Sequence, residues 1–160
     1  MFEELKMSEL KIKPKVVGLN AWKSGSDNLV PGCSITTIVS EEKAGEVGLY
    51  FMPPGKQTTV FSLEEEDDGT ADEYYGACHE FYYILVGEFT MYWGKDTSKL
   101  RTGAANKLVL KAGELGHWTP GWKYSVKNTG DVPGTFFWGL SRPPKGTKTR
   151  EIAGPPPELR

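Results

Sequence analysis

Glu80, His117 and Tyr124 supply a carboxylate, an imidazole and a phenol, the side-chain types that general acid–base catalysis uses. His79 precedes Glu80 directly, and His79 and His117 are the only two histidines of the chain. If both imidazoles converged with Glu80, joined by Glu73 or Tyr124, they would suit zinc, nickel or iron; apart, they are ordinary hydrogen-bonding residues. Tyr82, Trp118, Trp122 and Tyr124 could line a pocket for a small organic ligand, the phenol hydroxyls giving it polarity. Cys78 also neighbours His79, but consecutive residues of a strand point to opposite faces, so the thiol reads as a core residue rather than a nucleophile activated by that imidazole.

The elements that must position these groups are strands. Short runs rich in β-branched and aromatic residues recur at 15–19, 34–39, 47–52, 58–63, 81–93 (divided by Gly87), 107–110, 115–118, 122–126 and 135–140, separated by glycine, proline and asparagine turn signals. Apolar residues at helical spacing are almost absent beyond the first ten or so positions, and no solenoid repeat is present. Nine or ten strands at this spacing predict an all-β, antiparallel jelly-roll barrel in a single domain spanning residues 1–160. Residues 1–13 read as an N-terminal extension and 141–160 as a proline-rich tail. Residues 64–73, EEEDDGTADE, form a like-charge run that should stand in solvent as an exposed insertion or lid unless a cation gathers it. It lacks the ligand spacing of a calcium loop.

A formal net charge of -2 over 160 residues gives no field of one sign, so neither nucleic acid nor a membrane surface is expected as a partner. Cys33 and Cys78 lie far apart, without the spacing of a zinc knuckle or a disulfide framework. With no apolar run of signal-peptide length in the opening residues, the expectation is a cytoplasmic protein.

Residues 55–139 resemble the two motifs of the cupin superfamily. The first runs glycine, five residues, His-x-His, a short interval, glutamate, six residues, glycine; Gly55, Glu80 and Gly87 fit its outer spacings. The two histidine positions fall on Phe61 and Leu63, and the acidic insertion expands the interval before Glu80. The second motif's glycines and asparagine match Gly113, Gly121 and Asn128, while Thr119 stands at its proline and Tyr124 at its histidine. The resemblance implies a jelly-roll barrel whose usual metal ligands are replaced, since Phe and Leu offer no lone pair.

The expected function is therefore a barrel that binds or transforms a small polar organic molecule, a carboxylate or a sugar-like compound, with no cofactor. Glu80, His117 and Tyr124 are the candidate acid–base groups, and Tyr82, Trp118, Trp122, Phe61 and Leu63 the candidate ligand-binding residues. The alternative is a metal-dependent dioxygenase, decarboxylase or lyase, holding a divalent transition metal at a relocated site of His79, Glu80 and His117. A third reading is an interaction module with a filled interior. A homodimer is expected, because a jelly roll leaves sheet edges that need cover.

Overall fold

β-Branched and aromatic residues favour extended backbone, and glycines between the runs reverse it. The computed structural model describes residues 14–41 and 45–141, among which eleven strands and one short helix form. The N-terminal extension and nearly all of the proline-rich tail lie outside the described residues. The strands are β1 (Lys23–Ser26), β2 (Ser34–Glu41), β3 (Gly45–Met52), β4 (Phe61–Ser62), β5 (Glu73–Tyr74), β6 (Glu80–Val86), β7 (Glu88–Gly94), β8 (Asn106–Lys111), β9 (Leu115–Trp118), β10 (Lys123–Asn128) and β11 (Gly134–Leu140). One sheet has the order β1-β2-β3-β11-β6-β9 and the other β5-β4-β10-β7-β8. All pairings are antiparallel except the two-residue β4–β5 contact, giving the all-β jelly roll.

Three local readings change. Residues 14–18 form no strand and lead into a 3₁₀ turn at Leu19–Ala21. Two strands, β1 and β5, were not expected from their composition: β1 is the sequence KSGS, held by pairing with β2 rather than by propensity. The helix α1 (Thr97–Thr102) is capped by the Asp96 carboxylate and stopped by Gly103 in the left-handed region, but six residues are too few to show a helical period.

The sheets enclose one core that includes Tyr50, Met52, Phe61, Leu63, Tyr82, Phe89, Trp118, Tyr124 and Phe136. The four glycines of the motif frame, Gly55, Gly87, Gly113 and Gly121, all take positive φ. At Gly87, between β6 and β7, a Cβ would also approach Gly134 Cα to 3.0 Å, so the turn requires glycine on both counts. Asn128, fully buried, donates to the carbonyls of Met52 and Val132 and accepts from Gly130 N–H, tying the ends of β3 and β10 to the turn before β11.

The acidic insertion is exposed over residues 65–70, as expected, and it is also a folded cover. Together with α1 it packs on the outer face of the five-stranded sheet around a second small core of Val60, Ala71, Tyr92 and Leu100. The gathering cation is Lys123, an outward residue of β10 whose side chain is 2% exposed; its Nζ lies 3.0 Å from Glu64 and 2.5 Å from Asp68. Lys95 adds a second bond to Glu64, and Arg101 of α1 reaches Asp72. Burial alone would lower the Lys123 ammonium, but the hydrogen bonds to Asp68 and Glu64 carry it above its ordinary value. The Lys123 bond, with those from Thr70, holds Asp68 well below the usual carboxylate range. For Glu64 burial acts upward, and bonds from Lys95 and Lys123 outweigh it.

Both carboxylates are depressed in the folded state, so their contribution is full above the ordinary carboxylate range and is lost as pH falls through the folded values. Lys123→Met is expected to lower Tm at pH 7 by about 5 °C, and the difference from the parent should shrink below about pH 4. Thermal unfolding followed by circular dichroism from pH 7 to pH 2 checks this; a difference constant with pH would mean that the lysine stem, not its charge, holds the cover.

Candidate functional site

Along β6 and the residues before it, side chains alternate between the two faces of the six-stranded sheet. Cys78, Glu80, Tyr82 and Ile84 are buried, whereas His79, Phe81, Tyr83 and Leu85 are exposed. On the neighbouring β9, Gly116 and Trp118 face inward and Leu115 and His117 outward. Register sets Glu80 directly opposite Trp118 and Tyr82 opposite Gly116. A Cβ at Gly116 would meet the Trp118 ring at 2.4 Å, so the missing side chain leaves the place the indole occupies.

Tyr124, opposite Phe61 on β4, closes the interior from the other sheet. Its ring stacks on Phe61 at 5.8 Å and tilts against Trp118 at 6.1 Å. Phe61 also meets Tyr75 at 5.7 Å, and Tyr82 stacks on Phe136 at 4.4 Å. Trp122 is half-buried at the rim, edge-on to Trp93 and beneath the Lys95 ammonium. The interior is therefore an aromatic wall into which β6 carries the Glu80 carboxylate, with two other buried carboxylates, Asp27 and Glu73, hydrogen-bonded by Tyr50 and Tyr75.

The Glu80 carboxylate acts on its neighbours. Burial first, and the Glu80 charge second, push the Cys78 thiol up to about 12. Burial likewise raises the Tyr124 phenol, Glu80 adding to the effect; the phenol donates to the Thr119 carbonyl at 2.6 Å. Trp118 Nε1 is buried and has no hydrogen-bond partner among the described residues, and neither has Trp138 Nε1, an inward group of β11. Trp138 and Tyr75 were not among the expected lining residues; the alternation from Thr135 to Leu140 could have pointed to the former, but Tyr75 is placed by the folded insertion.

The donor set at the family's usual metal position does not fit a metal. Phe61 and Leu63 are buried there, 2% and 0% exposed, and carry no lone pair. Tyr124 would have to ligate as phenolate, which its raised pKa opposes. Glu80 alone remains, and no group of three or more His, Cys, Asp or Glu able to hold an ion occurs among the described residues.

The expected relocated site and the expected acid–base trio both come apart across the sheet. His79 and His117 do meet, Nδ1 to Nε2 at 2.9 Å, but on the outer face, while Glu80 points into the barrel. His117 is thereby separated from Tyr124 as well, so the couple of imidazole base and phenol acid is not assembled. Glu73 is elsewhere again, its carboxylate accepting from Thr59 and Tyr75. The physical reason is the period of two along β6 and β9, with no bulge to turn His79 inward.

No protein-family model matches the chain, and no curated protein is recognisably similar to it. Solved structures are. A Drosophila melanogaster CENP-C cupin domain shares 17% identity over 79% of this chain and 75% of that one, with a TM-score of 0.55. A double-stranded β-helix protein from Klebsiella pneumoniae shares 14% over 87% and 99%, at 0.56. A predicted oxalate decarboxylase from Thermotoga maritima shares 20% over 80% and 99%, at 0.54. Among the described residues no helix is long and apolar enough to cross a membrane.

The shifted thiol gives a direct test of the interior. In a Cys33→Ser variant, Cys78 is expected to react with a charged aromatic disulfide at pH 8 about a thousandfold more slowly than free cysteine, and at the ordinary rate in guanidinium. Fast reaction of the native protein would mean that the barrel interior opens to solvent.

Proposed function

We infer that this barrel, which has the cupin fold, binds a small, neutral, hydroxyl-bearing organic molecule of the sugar or polyol kind, without a transition metal at the position usual for that fold. The observation that carries the reading is the cross-strand pair of Glu80 and Trp118: a buried carboxylate beside a buried indole N–H, inside an aromatic wall. A hydroxyl group can donate to Glu80 Oε2 and accept from the Trp118 indole N–H. The C–H faces of a sugar or polyol then pack against the rings of Phe61, Tyr75 and Tyr124.

Between a carboxylate and a sugar-like ligand, charge favours the sugar. An anion brought beside Glu80 in a poorly hydrated interior meets a like charge, and among the described residues no buried lysine or arginine lies on the inner face to offset it. Lys123, the one buried cation among the described residues, is spent on the outer cover. The Thermotoga protein is described as a predicted oxalate decarboxylase; a dianion of that type would be poorly held by the interior described above.

Calorimetry and thermal shift against two ligand panels, neutral sugars and polyols in one and mono- and dicarboxylates in the other, test the reading at pH 7. A neutral hydroxylated compound is expected to raise Tm, and Glu80→Gln and Trp118→Phe are each expected to weaken it at least tenfold, about 1.4 kcal/mol. Selective binding of a carboxylate, strengthened by Glu80→Gln, would overturn the assignment.

A further inference from the structure

The imidazole pair on the outer face is not used by the barrel interior, and its geometry has a meaning of its own. His79 sits one residue before β6, yet its backbone is fixed on the β11 side: its N–H donates to Ser141 Oγ at 3.1 Å and its carbonyl accepts from Ser141 N–H at 2.9 Å. His117 lies in β9, opposite Phe81. The two histidines are thus diagonal neighbours on adjacent antiparallel strands, a spacing that long side chains bridge. The Phe81 ring stacks on the His117 imidazole at 4.7 Å and 7°, fixing the plane of that ring.

Nδ1 of His79 and Nε2 of His117 stand 2.9 Å apart. Two nitrogens bound to one ion at about 2.0–2.1 Å are separated by about 2.9 Å at a right angle and about 3.3 Å at the tetrahedral angle. The pair is therefore spaced as a chelate, and an ion can take the place of the proton that the two nitrogens otherwise share.

We propose that His79 and His117 form a two-imidazole clip for a divalent transition metal on the outer face of the six-stranded sheet. The ion is held by Nδ1 of one ring and Nε2 of the other, which places the remaining proton of each neutral ring on His79 Nε2 and His117 Nδ1. Imidazole is a borderline ligand, so copper binds more tightly than nickel or zinc, and calcium and magnesium do not compete. Both histidines are exposed, so the other coordination positions stay open to water or to a donor from outside the chain. The clip and the Glu80 interior are on opposite faces of the same strand and operate independently.

Full-length, tag-free protein is titrated with copper(II), nickel(II) and zinc(II) chloride by calorimetry, and the copper complex is examined by electron paramagnetic resonance. The expected result is saturable binding in the order copper, then nickel and zinc, with superhyperfine structure from two nitrogens. His79→Ala and His117→Ala each weaken copper at least tenfold and leave one nitrogen, while Glu80→Gln changes neither affinity nor spectrum. Copper affinity equal in the parent and the double variant, or a spectrum that retains both nitrogens there, would overturn the proposal, as would loss of binding in Glu80→Gln. Circular dichroism of each variant separates loss of ligand from loss of fold.

Discussion

Side-chain alternation along β6 is the constraint on which the rest of the chemistry depends. A strand in a two-layer barrel can present only every second residue to the interior, and the pairing of β6 with β11 on one side and β9 on the other holds that choice from Glu80 to Ile84. Glu80 is thereby committed inward together with Cys78, Tyr82 and Ile84, and His79 is committed outward. Because β9 is locked to β6 with Glu80 opposite Trp118, the same parity sends His117 outward. One geometric rule thus sends the Glu80 carboxylate of β6 inward and the paired imidazoles outward.

What replaces the usual ligands decides what the interior can do. Burying Phe61 and Leu63 contributes about 1.5–3 kcal/mol each, the sign of contribution a core residue makes rather than a ligand. Together with Tyr124, Tyr75 and Trp118 they turn the barrel centre into a stack of rings. In such surroundings burial raises the Cys78 thiol and the Glu80 charge adds to the effect. An interior of this kind discriminates by hydrogen-bond complement and charge more than by ligation.

The two sheets differ on their outer faces for an equally simple reason. The five-stranded sheet carries Lys123 outward, and three nearby acidic residues of the insertion, Glu64, Asp68 and Asp72, find cations in Lys123, Lys95 and Arg101. A run that repels itself in isolation becomes a cover once those charges are matched, and it brings Ala71 onto Val60, Tyr92 and Leu100. The six-stranded sheet keeps Phe81, Tyr83, Leu85, Leu115 and Phe137 exposed around the histidine pair.

The fold was legible in the sequence because its signals are local: β-branched runs, turn residues, and the glycines at 55, 87, 113 and 121, each demanded by a positive φ that other residues resist. The substitution of the ligand positions by Phe61, Leu63 and Tyr124 was legible too, since it needs only spacing. Elements held by pairing alone, the KSGS strand β1 and the two-residue β5, carried no propensity to read, and α1 was too short to show a period. Tertiary structure alone decided that Lys123, far along the chain, is the cation that gathers residues 64–73. It also decided that two histidines separated by β6, β7 and β8 meet within a hydrogen-bond distance while the adjacent Glu80 turns away. Spacing along the chain fixes the face each side chain takes within its strand, but which strands become neighbours, and in what register, is set only when the barrel closes.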